Sequence, residues 1–277
     1  MINRLSILLL DFILAKFINK CILMKISLIQ TPLTWENHQA NRDNFTEKIN
    51  SIEATDLIVL PEMFATGFTM KPEGVAETMD GESVVWMQKM AKAKNCAVTG
   101  SLVITENGKY YNRLFFVLPD GEYKTYDKRH LFTLAGEQQY YTAGREKLII
   151  TYRDWKICPL VCYDLRFPVF ARNTEDYDLL LYVANWPEIR VEAWDALLKA
   201  RAIENMCYTV GVNRIGKDSN GHAYNGHSQI IDSTGNYIIK PAEQEGVFTV
   251  AIDKESLQKA RDKFGFLNDR DSFNLLN

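Results

Sequence analysis

An α/β fold in four layers, an α–β–β–α sandwich, is what this 277-residue sequence predicts, and three observations predict it. Short, wholly apolar runs such as DLIVL (56–60) and DLLLYVA (178–184) suit strands buried on both faces. Segments with helical apolar spacing recur in both halves of the chain, so each sheet has helices to cover one face and a second face left to pack on the other sheet. No stretch rich in Gly, Pro or Ser separates the halves, so residues 24–277 read as one domain. At 47% hydrophobic content the chain is long enough for a sizeable core.

The elements follow in order. KISLIQTPL (25–33) alternates and meets a proline, as a strand end does. Residues 37–53 carry Phe45, Ile49 and Ile52 at helical spacing, and 56–60 is a buried strand. Residues 83–94 place Trp86, Met90 and Ala93 on one helical face. The stretch 96–128 reads as three or four strands, with hairpin turns at Asn107-Gly108 and Asp120-Gly121. Residues 147–164 are strand, polar turn, strand, and 178–187 opens on another buried strand. The helix 191–206 turns Trp194, Leu197, Leu198, Ala202 and Met206 inward. A strand at 207–216, a loop through 226, a hairpin turning at Ser233–Gly235, a strand at 245–253 and a helix at 254–264 complete the chain.

The totals exclude several function classes. The net charge is -3, and 32 basic and 35 acidic residues are mixed along the chain, so no basic stripe awaits nucleic acid. Five cysteines, at 21, 96, 158, 162 and 207, have irregular spacing; this is no disulfide framework, and a reducing cytoplasm is the simpler home. Four histidines, at 38, 130, 222 and 227, complete no zinc set with them, so no metal is expected. A dinucleotide cofactor is not expected either, because no G-x-G-x-x-G follows the first strand. Residues 1–23 are apolar but are interrupted by Asp11 and Lys16. They read as an extension outside the fold, with Met24 as an alternative translation start. A signal or membrane anchor is the weaker alternative, because the apolar run is short for a span and no small-x-small cleavage site follows it.

Three strand ends carry residues capable of chemistry. Glu62, in VLPEMFATGF, follows a buried strand and should be partly desolvated, a setting that suits a general base; a plain surface glutamate is the alternative. Lys128, in YKTYDKRHLF, also follows a strand and can offer fixed positive charge to a developing oxyanion, or can be an ordinary surface lysine. Cys162, in PLVCYDLRFP, ends an apolar strand, where a cysteine is commonly a small hydrophobe. The turn after it can expose the sulfur, with the N–H of Tyr163 pointing into the same space. Lys128 would acidify the thiol and Glu62 would take its proton, which removes the need for a histidine.

LPEMFATGF, YDKRHLF and PLVCYDLRFP, in this order, resemble the three signatures of the nitrilase superfamily of carbon–nitrogen hydrolases. The resemblance spans the chain from about Met24 to the C-terminal helix. It implies the same sandwich, paired across a two-fold axis as a homodimer. It also implies Glu62 as general base, Lys128 as stabiliser of the tetrahedral intermediate and Cys162 as nucleophile, with no cofactor. A second glutamate in the loop after the lysine matches Glu137, which would hold the lysine and help orient substrate. The implied reaction is acyl transfer from a small-molecule amide to water through a thioester.

The words TPLTWENHQANRDN, PEMFATGFTM, YDKRHLFTLAGEQQYYTAG and NWP are most similar to the bacterial omega-amidase group, which removes ammonia from 2-oxoglutaramate or 2-oxosuccinamate. Other amidases of the superfamily, acting on aliphatic amides or N-carbamoyl amino acids, are the alternative. A substrate with a distal carboxylate needs a cation, and Arg166, Arg190 and Arg214 are the candidates; Arg166 has a competing reading as buried partner of Asp164 or Glu204. Trp186, Phe68 and Phe132 can wall a small pocket, or simply pack in the core.

Overall fold

Leu23 opens the first strand one residue before Met24 and pairs with Asp253. The computed structural model describes residues 23–275, and the rest of the N-terminal extension lies outside the described residues. The strands are β1 Leu23–Gln30, β2 Leu57–Val59, β3 Ala97–Glu106, β4 Lys109–Val117, β5 Tyr123–Asp127, β6 Ile150–Tyr152, β7 Trp155–Val161, β8 Leu179–Ala184, β9 Tyr208–Asn213, β10 Ile215–Lys217, β11 Ala223–Asn225, β12 Gln229–Ile231, β13 Tyr237–Ile239 and β14 Gly246–Asp253. The helices are α1 His38–Asn50, α2 Glu82–Lys94, α3 Pro168–Ala171, α4 Val191–Glu204 and α5 Lys254–Phe264.

Among the described residues the strands form two six-stranded sheets, ordered β14-β1-β2-β3-β4-β5 and β13-β12-β9-β8-β7-β6, and a separate β10-β11 ribbon. Each large sheet has a parallel centre, β1-β2-β3 in one and β7-β8-β9 in the other, flanked by antiparallel strands. The period of two along a strand makes the layers. In β2, Leu57 and Val59 join the core between the sheets, whereas Ile58 packs with Phe45 and Ile49 of α1 and with Met87 and Met90 of α2. In β4, Leu114 and Phe116 face the second sheet while Phe115 and Val117 face the helices. On the far side α4 lays Trp194 and Leu198 directly on β9, where Gly211 has no side chain to keep them off. The result is the four-layer sandwich.

Local chemistry sets the helix ends. The Asn37 side chain accepts from the Ala40 N–H at 3.0 Å to start α1, and Asp253 does the same for Glu255 at 3.0 Å to start α5. Asn95, at a left-handed φ of 49°, ends α2.

Two details differ from the sequence reading, and a choice between three and four strands is decided. Ala93 is exposed; the buried face of α2 runs through Val84, Met87 and Ala91 as well as Trp86 and Met90. The segment 96–128 makes three strands. The stretch read as a loop before 226 returns as β11 against β10, because the Asp218 carboxylate accepts from the N–H groups of Asn220 and His222 and closes a tight turn. Among the described residues no helix is long and apolar enough to cross a membrane.

Candidate active site

Four strand exits converge at one end of the sandwich. Pro61 lacks an N–H, so the β2 ladder stops and Glu62 leaves the sheet. Lys128 directly follows β5. Cys162 directly follows β7 and takes a φ of 45°, a left-handed conformation that a side-chain-bearing residue adopts only under constraint. That sharp turn throws the thiol off the strand line, and the Asp164 carboxylate fixes it by accepting from the Val161 N–H at 3.0 Å. Asn185 directly follows β8.

Glu62 and Glu137 are each 0% exposed and Lys128 is 1% exposed. Lys128 Nζ donates to Glu62 Oε1 at 2.9 Å and to Glu137 Oε1 and Oε2 at 3.1 and 2.9 Å. Glu137 reaches back through Oε2 to accept from the Phe132 N–H, which folds its loop over the lysine. The remaining oxygen of Glu62, Oε2, accepts from the Asn185 N–H at 2.8 Å, so the carboxylate of one sheet is held by a strand end of the other. The Asn185 carbonyl lies 3.9 Å from Cys162 Sγ. Two carboxylates around one ammonium leave this buried cluster with a formal charge of −1, next to the thiol.

A cavity of about 580 Å³ opens onto Lys128, Cys162 and Asn185. The family model of carbon–nitrogen hydrolases matches residues 25–262. The chain belongs to that family.

Omega-amidase YafV of Yersinia enterocolitica is 45% identical over 257 residues, 91% of this chain and 99% of that protein. The 2-oxoglutaramate amidase of Bacillus subtilis is 33% identical over 219 residues, 77% of this chain and 84% of that protein. Among solved structures, XC1258 from Xanthomonas campestris, described as a CN-hydrolase superfamily protein with an arsenic adduct in the active site, superposes with a TM-score of 0.90 at 42% identity, covering 91% of this chain and 99% of that one. Nit3 of Saccharomyces cerevisiae, at 23% identity and a TM-score of 0.80 over 88% of this chain and 94% of its own, shares the fold.

The electrostatics of this carbon–nitrogen hydrolase correct one sequence expectation. Burial and then the Glu62 charge push the Cys162 thiol well above its ordinary range, and Lys128 only partly opposes them. Lys128 does lower the thiol, but its charge is shared with two carboxylates and does not offset burial and Glu62. Burial alone would lower the lysine; Glu137 and Glu62 outweigh it and hold it raised. Burial raises Glu137, with Lys128 opposing and Glu62 reinforcing the shift. Burial and the neighbouring Glu62 charge thus both favour the protonated form of this thiol.

The pocket candidates separate. Phe68, Phe132 and Tyr163 wall the cavity, with Phe132 and Tyr163 edge to face at 4.9 Å and Lys128 Nζ 5.1 Å from the Phe68 ring centre. Trp186 both lines the cavity and packs in the core against Trp194, and its indole N–H donates to the Arg190 carbonyl at 2.7 Å. Arg166 and Arg190 face the cavity over the rings of Trp186 and Phe132. Arg166 is no buried partner: Asp164 is taken by Tyr126, His130 and Val161, and Glu204 by Arg201. Arg214 is not in the cavity wall. It is 1% exposed and its guanidinium donates to the carbonyls of Leu33, Ile215 and Lys217, tying β9 to its neighbours.

Sequence reasoning passed over two residues that the site uses, Asn112 on β4 and Asn185. Asn112 Nδ2 donates to Glu62 Oε1 at 2.8 Å. For Asn185 the signal available was an amide directly after a wholly apolar strand, a position that needs a buried partner.

Proposed function

We propose that this chain is an omega-amidase, which hydrolyses the terminal amide of a 2-oxo dicarboxylic acid monoamide such as 2-oxoglutaramate or 2-oxosuccinamate to the 2-oxo dicarboxylate and ammonia. The likeness to Omega-amidase YafV, near full length in both chains, carries this reading. A buried Glu62–Lys128–Glu137 cluster beside Cys162, opening on a cavity with two arginines free of carboxylate partners among the described residues, supports it.

In this mechanism Cys162 Sγ attacks the amide carbon as Glu62 accepts the thiol proton. The carbonyl oxygen becomes an oxyanion beside Lys128 Nζ and the N–H of Tyr163. The intermediate collapses as Glu62 passes the proton to the leaving nitrogen, and ammonia departs from the thioester. Glu62 then takes a proton from water, whose oxygen attacks the thioester; collapse releases the acid, and the proton returns to the sulfur. Glu137 keeps Lys128 charged and in place. Arg166 and Arg190 receive the distal carboxylate, and Phe68, Phe132 and Trp186 exclude water from the reacting carbon. We place the enzyme in the cytoplasm as a two-fold homodimer, the reading that the irregular cysteine spacing and the superfamily resemblance support.

A substrate panel tests the reading. Ammonia release from 2-oxoglutaramate, with little from aliphatic amides or N-carbamoyl amino acids, is the expected pattern; hydrolysis of the latter two alone overturns it.

A further inference from the structure

Asn112 touches all three members of the buried charged cluster. Its Nδ2 donates to Glu62 Oε1 at 2.8 Å and to Glu137 Oε1 at 3.3 Å, and its backbone carbonyl accepts from the Lys128 N–H at 3.0 Å. The same two Oε1 atoms are the ones that Lys128 Nζ meets at 2.9 and 3.1 Å. The two carboxylates are thus bridged twice, once by an ammonium and once by a neutral amide. Asn112 is 1% exposed, and its Oδ1 has no hydrogen-bond partner among the described residues. Leaving a buried acceptor unpaired is costly, yet the reverse amide orientation would set Oδ1 against two carboxylate oxygens. The orientation is therefore dictated by the carboxylates.

We propose that Asn112 is a positioning residue that keeps Glu62 and Glu137 ionised side by side and thereby sets the acidic limit of catalysis. The reason is electrostatic. Two carboxylates close to a single cation tend to retain a shared proton, and each donor aimed at the ionised oxygens opposes that. Glu62 is faced by Lys128 from the end of β5, Glu137 from the following loop, Cys162 from the end of β7, Asn112 from β4 and the Asn185 N–H from the end of β8, with Tyr141 beyond Glu137. Without the Asn112 donor a proton shared between the two carboxylates is held more firmly, and a carboxylate pair that holds it cannot take the proton of Cys162. The proposal rests on Glu62 being the base, and it holds for any amide that the enzyme cleaves.

The test uses the full chain as wild type, Asn112→Ala and Asn112→Ser, from about pH 5 to about pH 9. Two profiles are recorded: kcat/KM for 2-oxoglutaramate, and the rate of Cys162 alkylation by iodoacetamide, which needs no substrate. The expected result is an acidic limb moved up by about one pH unit in both profiles, with the deficit shrinking toward alkaline pH and KM little changed. A loss of the same size at every pH, or limbs that stay where the wild type has them, overturns the proposal. If Asn112→Ala does not fold, the Asn112→Ser alkylation limb decides alone, and an unmoved limb is the overturning result. A wild type that leaves 2-oxoglutaramate intact but shows the shifted alkylation limb in the variants defeats the omega-amidase reading and leaves this one standing.

Discussion

Asn185, at the end of β8, donates its backbone N–H to Glu62 Oε2 at 2.8 Å, although Glu62 is carried by the opposite sheet. The Asn185 side chain also donates to the Glu62 carbonyl. The Glu62 carboxylate is thereby placed relative to Cys162 by hydrogen bonds across the sandwich and not by its own loop alone. A carboxylate with both oxygens engaged has one orientation, which is what a proton acceptor for a buried thiol requires.

Glu62→Gln tests that role. The amide keeps the volume and part of the hydrogen bonding but cannot accept the thiol proton. The expected loss in kcat is about 10²–10⁴-fold, with a folded protein and slow alkylation of Cys162 at neutral pH. Turnover within about a factor of ten of wild type would remove Glu62 as the base.

Lys128→Met separates charge from volume. It leaves two buried carboxylates without their cation, a change that costs about 3–5 kcal/mol when a buried pair is broken. A lowered thermal midpoint together with near-total loss of activity is expected. Adding Glu137→Gln to that variant removes one of the uncompensated charges, so part of the stability should return while activity does not.

In the proposed function the distal carboxylate is bound by Arg166 and Arg190. Alanine at either position should lower kcat/KM for 2-oxoglutaramate by about 10–100-fold, mainly through KM, the size of one lost charge-assisted hydrogen bond. Arg214→Ala should act differently, lowering the thermal midpoint, because its bonds go to backbone carbonyls. An unchanged KM in both cavity variants would move the carboxylate site elsewhere.

Alkaline pH should destabilise the fold through buried thiols that take no part in catalysis. Burial pushes Cys96 and Cys207 up from 9.0 to about 12. Below 9.0 folded and unfolded thiols are all protonated and the contribution is constant; between 9.0 and about 12 the unfolded chain loses these protons while the folded chain keeps them, so stability falls as pH rises. Thermal midpoints recorded through that window should decline, and Cys207→Ala should make the decline shallower. An equal slope in the variant would show that other groups govern it.

Packing of the outer helix layer depends on Gly211. A Cβ there would lie 2.4 Å from Leu198 Cδ1 and 2.7 Å from Trp194 Cζ2. Gly211→Ala should therefore destabilise by about 1–3 kcal/mol, read by denaturant unfolding.

What the sequence revealed follows physical lines. Glu62 and Cys162 each stand just past an apolar run and Lys128 just past a strand that the hairpin turns mark out, so their place at strand exits could be read directly. The helix at 254–264 was legible because Asp253 and Gly265 mark its ends. Ala93 misled because spacing alone does not say where a helical stripe ends. Arg214 looked like a free cation because the carbonyls that hold it come from Leu33, Ile215 and Lys217, and carbonyl groups leave no trace in a sequence. Asn112 was hidden for a related reason: its partners are 50 and 25 residues away, and strand alternation does not report what a buried amide faces.

The central claim, covalent catalysis by Cys162 with a base other than histidine, is tested most directly by rapid-quench mass spectrometry of the wild-type chain mixed with 2-oxoglutaramate, followed by peptide mapping. The account predicts a transient acyl group on the peptide carrying Cys162, formed together with one equivalent of ammonia and absent in Cys162→Ala. Steady release of ammonia by Cys162→Ala, with no adduct on the wild-type sulfur, would contradict it.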